Sequence, residues 1–147
     1  MMIEKTFRVL GVDPGDKRIG VAISDPTQTI ATPYGVIEHS SRQGDARAIL
    51  AIGEENQIGL VLIGQALNWD GEISPQGKKA ARLAEEIQSL SDIPVKLWDE
   101  YGSTKIARRS RQTMNLPKKK RKGHHDQIAA VVILQSYLDS LTGLEEA

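Results

Sequence analysis

The 147-residue chain has no cysteine, which excludes disulfides, thiolate nucleophiles and cysteine-based zinc or iron–sulfur sites. Aromatic residues are few, with one Phe, three Tyr and two Trp, and this argues against a binding surface built from rows of base-stacking rings. The longest apolar run, Ile128 to Leu134, falls far short of the roughly 20 residues that span a bilayer, so no membrane partner is expected. The opening residues Met1-Met2-Ile3-Glu4-Lys5-Thr6 lack the charge-then-apolar layout of a secretory signal, so a cytoplasmic location is expected. There is no G-x-G-x-x-G. Gly71 to Lys79 resembles a phosphate-binding P-loop, but it has five residues between its glycines and Lys79 where Ser or Thr is required. His39, His124 and His125 lack zinc spacing.

Net charge is also missing, with 19 Lys+Arg against 19 Asp+Glu. That zero is a sum of two opposed fields. Between Tyr101 and His125 stand nine basic residues and no acidic one, leaving nineteen acidic against ten basic in the rest. Lys105, Arg108, Arg109 and Arg111 suit the solvated face of a helix. The run Lys118, Lys119, Lys120, Arg121 and Lys122 is harder to place, because five consecutive like charges repel unless a counter-charge holds them. A polyanion supplies one; a nuclear-import signal is a lesser option. Lys17 and Arg18, beside the first turn, extend the positive charge.

At 39% hydrophobic and 26% charged, the chain suits one globular domain over residues 1–147. Phe7 to Val12 is a strand candidate, followed by a tight turn at Asp13-Pro14-Gly15-Asp16. Arg18 to Ser24 alternates with period two, and a third strand within Ile30 to Ile37 completes an antiparallel meander. A helix is expected over Arg42 to Glu55, and a doubly buried strand at Leu60 to Ile63. Ser74-Pro75 reads as an N-cap with proline at the first helical position, opening a helix marked by Ala80, Leu83, Ala84, Ile87 and Leu90. Val95 to Trp98 is the fifth strand, Thr104 to Met114 a helix, Leu116 to Gly123 a basic loop, and His124 to Ser140 the last helix. The pattern implies one α/β domain with a five-stranded mixed sheet: an antiparallel β1-β2-β3 meander plus parallel strands, flanked by helices.

Three carboxylates are placed unlike the rest. Asp13 ends the first strand, where open α/β sheets bind ligands. Glu100 ends the fifth, and Asp126 falls in the first turn of the last helix. Each has a plain alternative: Asp13 suits a turn position, Asp126 answers a helix dipole, and Glu100 alone says little. Brought together, three carboxylates repel unless a cation sits among them. Oxygen donors without His or Cys favour Mg²⁺ or Mn²⁺. Two such ions about 3.5–4 Å apart clamp the attacking and leaving oxygens of a phosphodiester.

Four ordered blocks carry a family resemblance. Val12-Asp13-Pro14-Gly15-Asp16-Lys17-Arg18-Ile19-Gly20-Val21-Ala22 resembles the opening strand–turn–strand of the YqgF family, also called RuvX, whose members are assigned as Holliday junction resolvases or pre-ribosomal RNA nucleases. Ile63-Gly64, Leu67-Asn68, Asp70-Gly71 and Pro75-Gln76 look like its second block, and Asp99-Glu100 with Ser103-Thr104 like its third. Lys118 to Lys122, then Asp126, Ala129-Ala130, Ile133-Leu134 and Tyr137-Leu138, look like its last. Gln65-Ala66 stands where the family has Leu-Pro, and Tyr101-Gly102 replaces an Arg followed by a large apolar residue.

The resemblance implies a ribonuclease H-like fold in which Asp13, Glu100 and Asp126 hold two divalent ions and Ser103 or Thr104 supports Glu100. It implies a nuclease whose partner is the precursor of small-subunit ribosomal RNA, with Lys17, Arg18 and Lys118 to Lys122 on the phosphates. A Holliday junction resolvase acting on branched DNA is the enzymatic alternative. A non-catalytic RNA-binding assembly factor is the alternative of another class. An actin-like phosphotransferase also opens on Asp-x-Gly, but needs two domains, which 147 residues hardly hold.

Overall fold

The computed structural model describes residues 7–65, 72–99 and 118–142. Five strands form one sheet in the order β3-β2-β1-β4-β5. They are β1 (Arg8–Pro14), β2 (Arg18–Ser24), β3 (Ala31–Glu38), β4 (Ile58–Gln65) and β5 (Val95–Asp99). β1, β2 and β3 are the expected antiparallel meander, while β4 pairs parallel with both β1 and β5. Helices α1 (Arg42–Glu55) and α2 (Pro75–Leu90) cover one face and α3 (Lys118–Thr142) the other.

Alternation along the central strands divides the core. Leu10 and Val12 of β1, with Val61 and Ile63 of β4, face α1 and α2, where they meet Ile49, Leu83 and Ile87. Val9 and Leu62 face α3, where Ile133, Leu134 and Leu138 cover them. Strands buried on both faces read as unbroken aliphatic runs, as Leu60 to Ile63 of β4 do. Gly11 also lies on the α3 side. A Cβ there would stand 2.8 Å from Leu134 Cβ and 3.4 Å from the Ala130 carbonyl oxygen, so only glycine lets the helix backbone come this close to the sheet.

Polar ties fix α3 at both flanks. Gln135 accepts from Ala31 N–H at 2.9 Å and donates to Thr29 O at 2.9 Å. On the other flank Trp98 Nε1 donates to Ser136 Oγ at 3.3 Å, and the Trp98 and Tyr137 rings pack edge to face with centroids 5.2 Å apart. Burial pushes the Tyr137 phenol above its ordinary pKa.

Helix starts follow their caps. Ser74 accepts from Gly77 N–H at 3.0 Å with Pro75 as the first helical residue, as expected. Ser41 caps α1 in the same way through Gly44 N–H.

The last helix corrects the sequence reading. Lys118 to Lys122 form its opening turns and are not a loop. Lys and Arg are good helix formers. Asp126 is therefore the ninth residue of α3, not part of its first turn, which has no acidic residue. The first strand also continues through Asp13 to Pro14, where a turn was expected. The expected helix over Thr104 to Met114 lies outside the described residues, as do Ser103 and Thr104.

Candidate nucleic-acid-processing edge

β1, β4 and β5 run parallel, so their carboxyl ends share one edge of the sheet. Asp13, Gln65 and Asp99 end or nearly end them, with Gln65 in register with Asp99. Asp13 is paired with Gly20 across the hairpin and is half-buried. That pairing makes it a strand residue and removes the turn explanation of its identity. In the alternation of β1 it shares parity with Val9 and Gly11, the residues on the α3 side.

The hairpin that follows is held tightly. A Cβ on Gly15 would meet the Arg18 carbonyl oxygen at 2.3 Å, so the turn closes only around glycine. Lys17 is exposed in this turn, and its carbonyl accepts from His39 N–H at 2.9 Å. Arg18 opens β2 and is half-buried.

The direction of α3 can be read from its contacts. Gln135 reaches Thr29 and Ala31, at the end of the sheet far from Asp13, whereas Ala130 lies over Gly11. Earlier residues of α3 therefore lie nearer the Asp13 edge. From Gly11 to Asp13 the strand advances about 7 Å. From Ala130 back to Asp126 the helix covers about 6 Å, one turn. The side chains of residues 118–126 are outside the described residues, and so is Glu100, which follows the last residue of β5. Lys96 and Trp98 are the β5 residues stacked toward Tyr137.

Among the described residues no group of three or more His, Cys, Asp or Glu side chains could hold a metal ion. Of the three expected ligands, only the Asp13 side chain falls within them. Its carboxylate is a hard oxygen donor at a strand end, compatible with a divalent ion of the Mg²⁺ or Mn²⁺ class.

On the opposite face of the same edge, the structure assembles residues that the sequence reading did not connect. A cleft of about 300 Å³ lies between the Pro14–Asp16 turn and the starts of α1 and α2. Within it Asp45, buried in α1, accepts from His39 Nδ1 at 2.5 Å and from Ser40 N–H at 3.1 Å. Lys79 pairs with Asp16 across the mouth, holding the Asp16 carboxyl below its ordinary pKa. A six-residue separation between His39 and Asp45 has no signature of its own. Only the Ser41 cap, which could have been read from Ser-Arg-Gln-Gly, hinted that the two sit at a helix start.

Gln65, a departure from the family pattern, donates through Nε2 to Gly77 O at 3.3 Å and so ties the end of β4 to the first turn of α2. The backbone after it, residues 66–71, lies outside the described residues.

A model of the RuvX family, described as Holliday junction resolvase, matches residues 7–140. The chain belongs to the RuvX family. Among its relatives it is 42% identical to a Thermoanaerobacter pseudethanolicus protein over 91% of this chain and 97% of that one. It is 38% identical to one from Clostridioides difficile over 90% and 94% respectively. Both are named "Putative pre-16S rRNA nuclease". Two solved structures share the fold of this RuvX chain. Thermus thermophilus RuvC in complex with a Holliday junction substrate superimposes with TM-score 0.56 at 16% identity, covering 93% of this chain and 96% of that one. The fowlpox virus resolvase with Holliday junction DNA gives 0.52 at 14% identity, covering 92% and 99%. The five-stranded mixed sheet of this RuvX chain is thus the ribonuclease H-like sheet of the resolvases. Among the described residues no helix is long and apolar enough to cross a membrane.

Proposed function

We propose that the chain is an endonuclease hydrolysing phosphodiester bonds in the precursor of small-subunit ribosomal RNA. The observation that carries this is Asp13, held in a paired strand at the carboxyl edge of the sheet, on the side along which α3 runs back toward the same edge. The relatives named as pre-16S rRNA nucleases support the substrate class.

Asp13, Glu100 and Asp126 are the proposed ligands of divalent ions. The matching advances of β1 and α3 support the approach of Asp126, and the likeness of Asp99-Glu100 to the family's third block supports Glu100. When bound, such ions lower the pKa of water and offset charge on the phosphoryl oxygens. The ladder pairing of Asp13 with Gly20 leaves its backbone little freedom, which supports this role. Ser103 and Thr104 are proposed to orient Glu100.

Lys118, Lys119, Lys120, Arg121 and Lys122 stand at the start of α3, the end nearer the proposed site. With Lys17 and Arg18 they are proposed to hold flanking phosphates. The helical setting strengthens this role, because a helix start itself favours anions.

The deciding experiment runs two substrates side by side, precursor small-subunit rRNA and a four-way DNA junction, with Asp13→Asn as control. RNA cleavage that disappears in the control is the expected result. Cleavage of the junction alone would transfer the function to junction resolution. Cleavage of RNA undiminished in the control would overturn the assignment of Asp13. Binding should weaken with salt by a slope of about −0.7 per single-strand phosphate neutralised, and a flat salt response would remove the basic residues from the interface.

A further inference from the structure

We infer that the cleft between the Pro14–Asp16 turn and the starts of α1 and α2 is a second phosphate-binding site. It lies on the opposite face of the sheet edge from the proposed metal ligands and is lined by Arg42, Arg82, His39 and Lys79. The inference rests on the nucleic-acid reading for its natural ligand, a phosphate group of a polynucleotide.

The charges in the cleft are unequally committed. Asp45 is 4% exposed and spends both carboxylate oxygens inward, on His39 and on the Ser40 amide. Both oxygens therefore face donors of the cleft floor. Because an ionised carboxylate only accepts hydrogen bonds, Nδ1 of His39 must donate, which fixes the imidazole orientation and leaves Nε2 for another partner. His39 keeps 43% of its side chain exposed. Asp16 is matched by Lys79 at the mouth. That leaves Arg42 and Arg82, both exposed and neither with an ion-pair or hydrogen-bond partner among the described residues.

Two guanidinium groups without partners on one concavity suit a phosphate. The planar fork of arginine matches phosphate oxygens in pairs of parallel hydrogen bonds. The two arrive from different helices, Arg42 as the first residue of α1 and Arg82 from the second turn of α2, one helical step beyond Lys79. The volume, about 300 Å³, is at the lower end of ligand pockets. Pro14, on its wall, directly follows Asp13 in the chain. A strand held here would therefore cross the sheet edge within one residue of the proposed cleavage chemistry, pinned by phosphates on both faces.

The test uses the full chain with two probes, and neither measurement involves cleavage. In the first, inorganic phosphate is titrated against ¹⁵N-labelled protein at constant ionic strength. Amide shifts are expected at residues 39–44 and at Arg82 side-chain nitrogens; they should be absent with chloride and lost in R42Q/R82Q. In the second, short single-stranded RNAs with and without a 5′-phosphate are bound in the presence of a chelator. R42Q/R82Q is expected to bind roughly tenfold more weakly, with the salt slope reduced by about 0.7 per phosphate released, while R42K/R82K recovers part of the affinity. Weakening on both RNAs assigns the site to the internal backbone, and weakening only on the phosphorylated RNA assigns it to a chain end. Shifts identical with chloride, or RNA affinity unchanged in R42Q/R82Q on both strands, would overturn the site. A protein that binds phosphate in the cleft but cuts no nucleic acid would keep this site and lose the nuclease reading. One that cuts through Asp13 but fails both titrations would keep the nuclease and lose the site.

Discussion

The two faces of the sheet are built for different tolerances. Against α1 and α2 the strands present Leu10, Val12, Ile19, Val21, Val61 and Ile63, a broad aliphatic layer. Against α3 the layer is thinner, and at Gly11 the helix backbone comes within reach of a single added carbon. A thick aliphatic layer absorbs small shifts by moving side chains; a backbone-to-backbone contact has nothing flexible to move. The proposed metal ligands depend on the second kind of contact, because the distance between β1 and α3 sets where Asp13 and Asp126 stand. The same edge thus carries a stability-bearing face, with a basic cleft at its rim, and a geometry-bearing face.

The largest effect that separates the faces is Asp13→Asn. Cleavage should fall by well over the roughly 10–100-fold typical of losing a residue that only orients a metal ligand, with the melting temperature held near the wild-type value. Single-turnover cleavage and calorimetry on the same preparation measure both. Next, Ile63→Ala on the opposite face should lower unfolding free energy by about 2–5 kcal/mol, the usual range for truncating a buried aliphatic residue. Cleavage per folded molecule should be retained, and denaturant melts paired with active-site titration would show it. If that variant lost activity in step with Asp13→Asn, the division between faces would fail.

Gly11→Ala sharpens the contrast. Its new Cβ would stand 2.8 Å from Leu134 Cβ, so α3 must shift, at a cost of about 1–3 kcal/mol for overpacking. Activity should drop further than this stability loss explains, since the shift is transmitted along α3. Equal fractional losses in Gly11→Ala and Ile63→Ala, read by the same two assays, would erase the distinction.

The smallest effect lies at the far end of the sheet. Asp25 accepts from the backbone of Ile30, from the Thr27 side chain and from the Thr29 backbone, and these bonds hold its carboxyl well below the ordinary range. A depressed folded-state pKa contributes stability above the unfolded value, about 3.9, and that contribution is lost as pH falls through the folded value. Asp25→Asn should therefore melt slightly lower than wild type at neutral pH, and the gap should close in strong acid. Melting temperatures across pH 2–7 test the sign. Cleavage at neutral pH should not change, since the loop is remote from the proposed site.

Legibility followed the range of the interactions involved. The meander, the aliphatic β4 and the Ser74-Pro75 cap were readable because each depends on residues close in sequence: alternation, branching, and a hydroxyl three residues from the amide it caps. The start of α3 was not. The five basic residues read as a loop between two helices, yet their helix propensity prevails and they open α3. Asp13 was legible as a candidate at the end of the first strand, but the continuation of that strand to Pro14 was not, because it depends on how far the hairpin ladder extends. His39 and Asp45, Arg42 and Arg82 were invisible as a group. Their meeting needs two helices docked on one face, and no local pattern encodes that.

Sequence alone determined the alternation of strands and helices, the unequal distribution of charge, and the family, since four ordered blocks are spaced along almost the whole chain. Tertiary structure decided the surroundings of the carboxylates it describes: Asp13 at a parallel strand end, Asp25 in its own turn, Asp45 under a histidine. Composition cannot make that choice, because a carboxylate's role is set by the donors and charges within a few ångströms, and folding supplies those neighbours from distant parts of the chain.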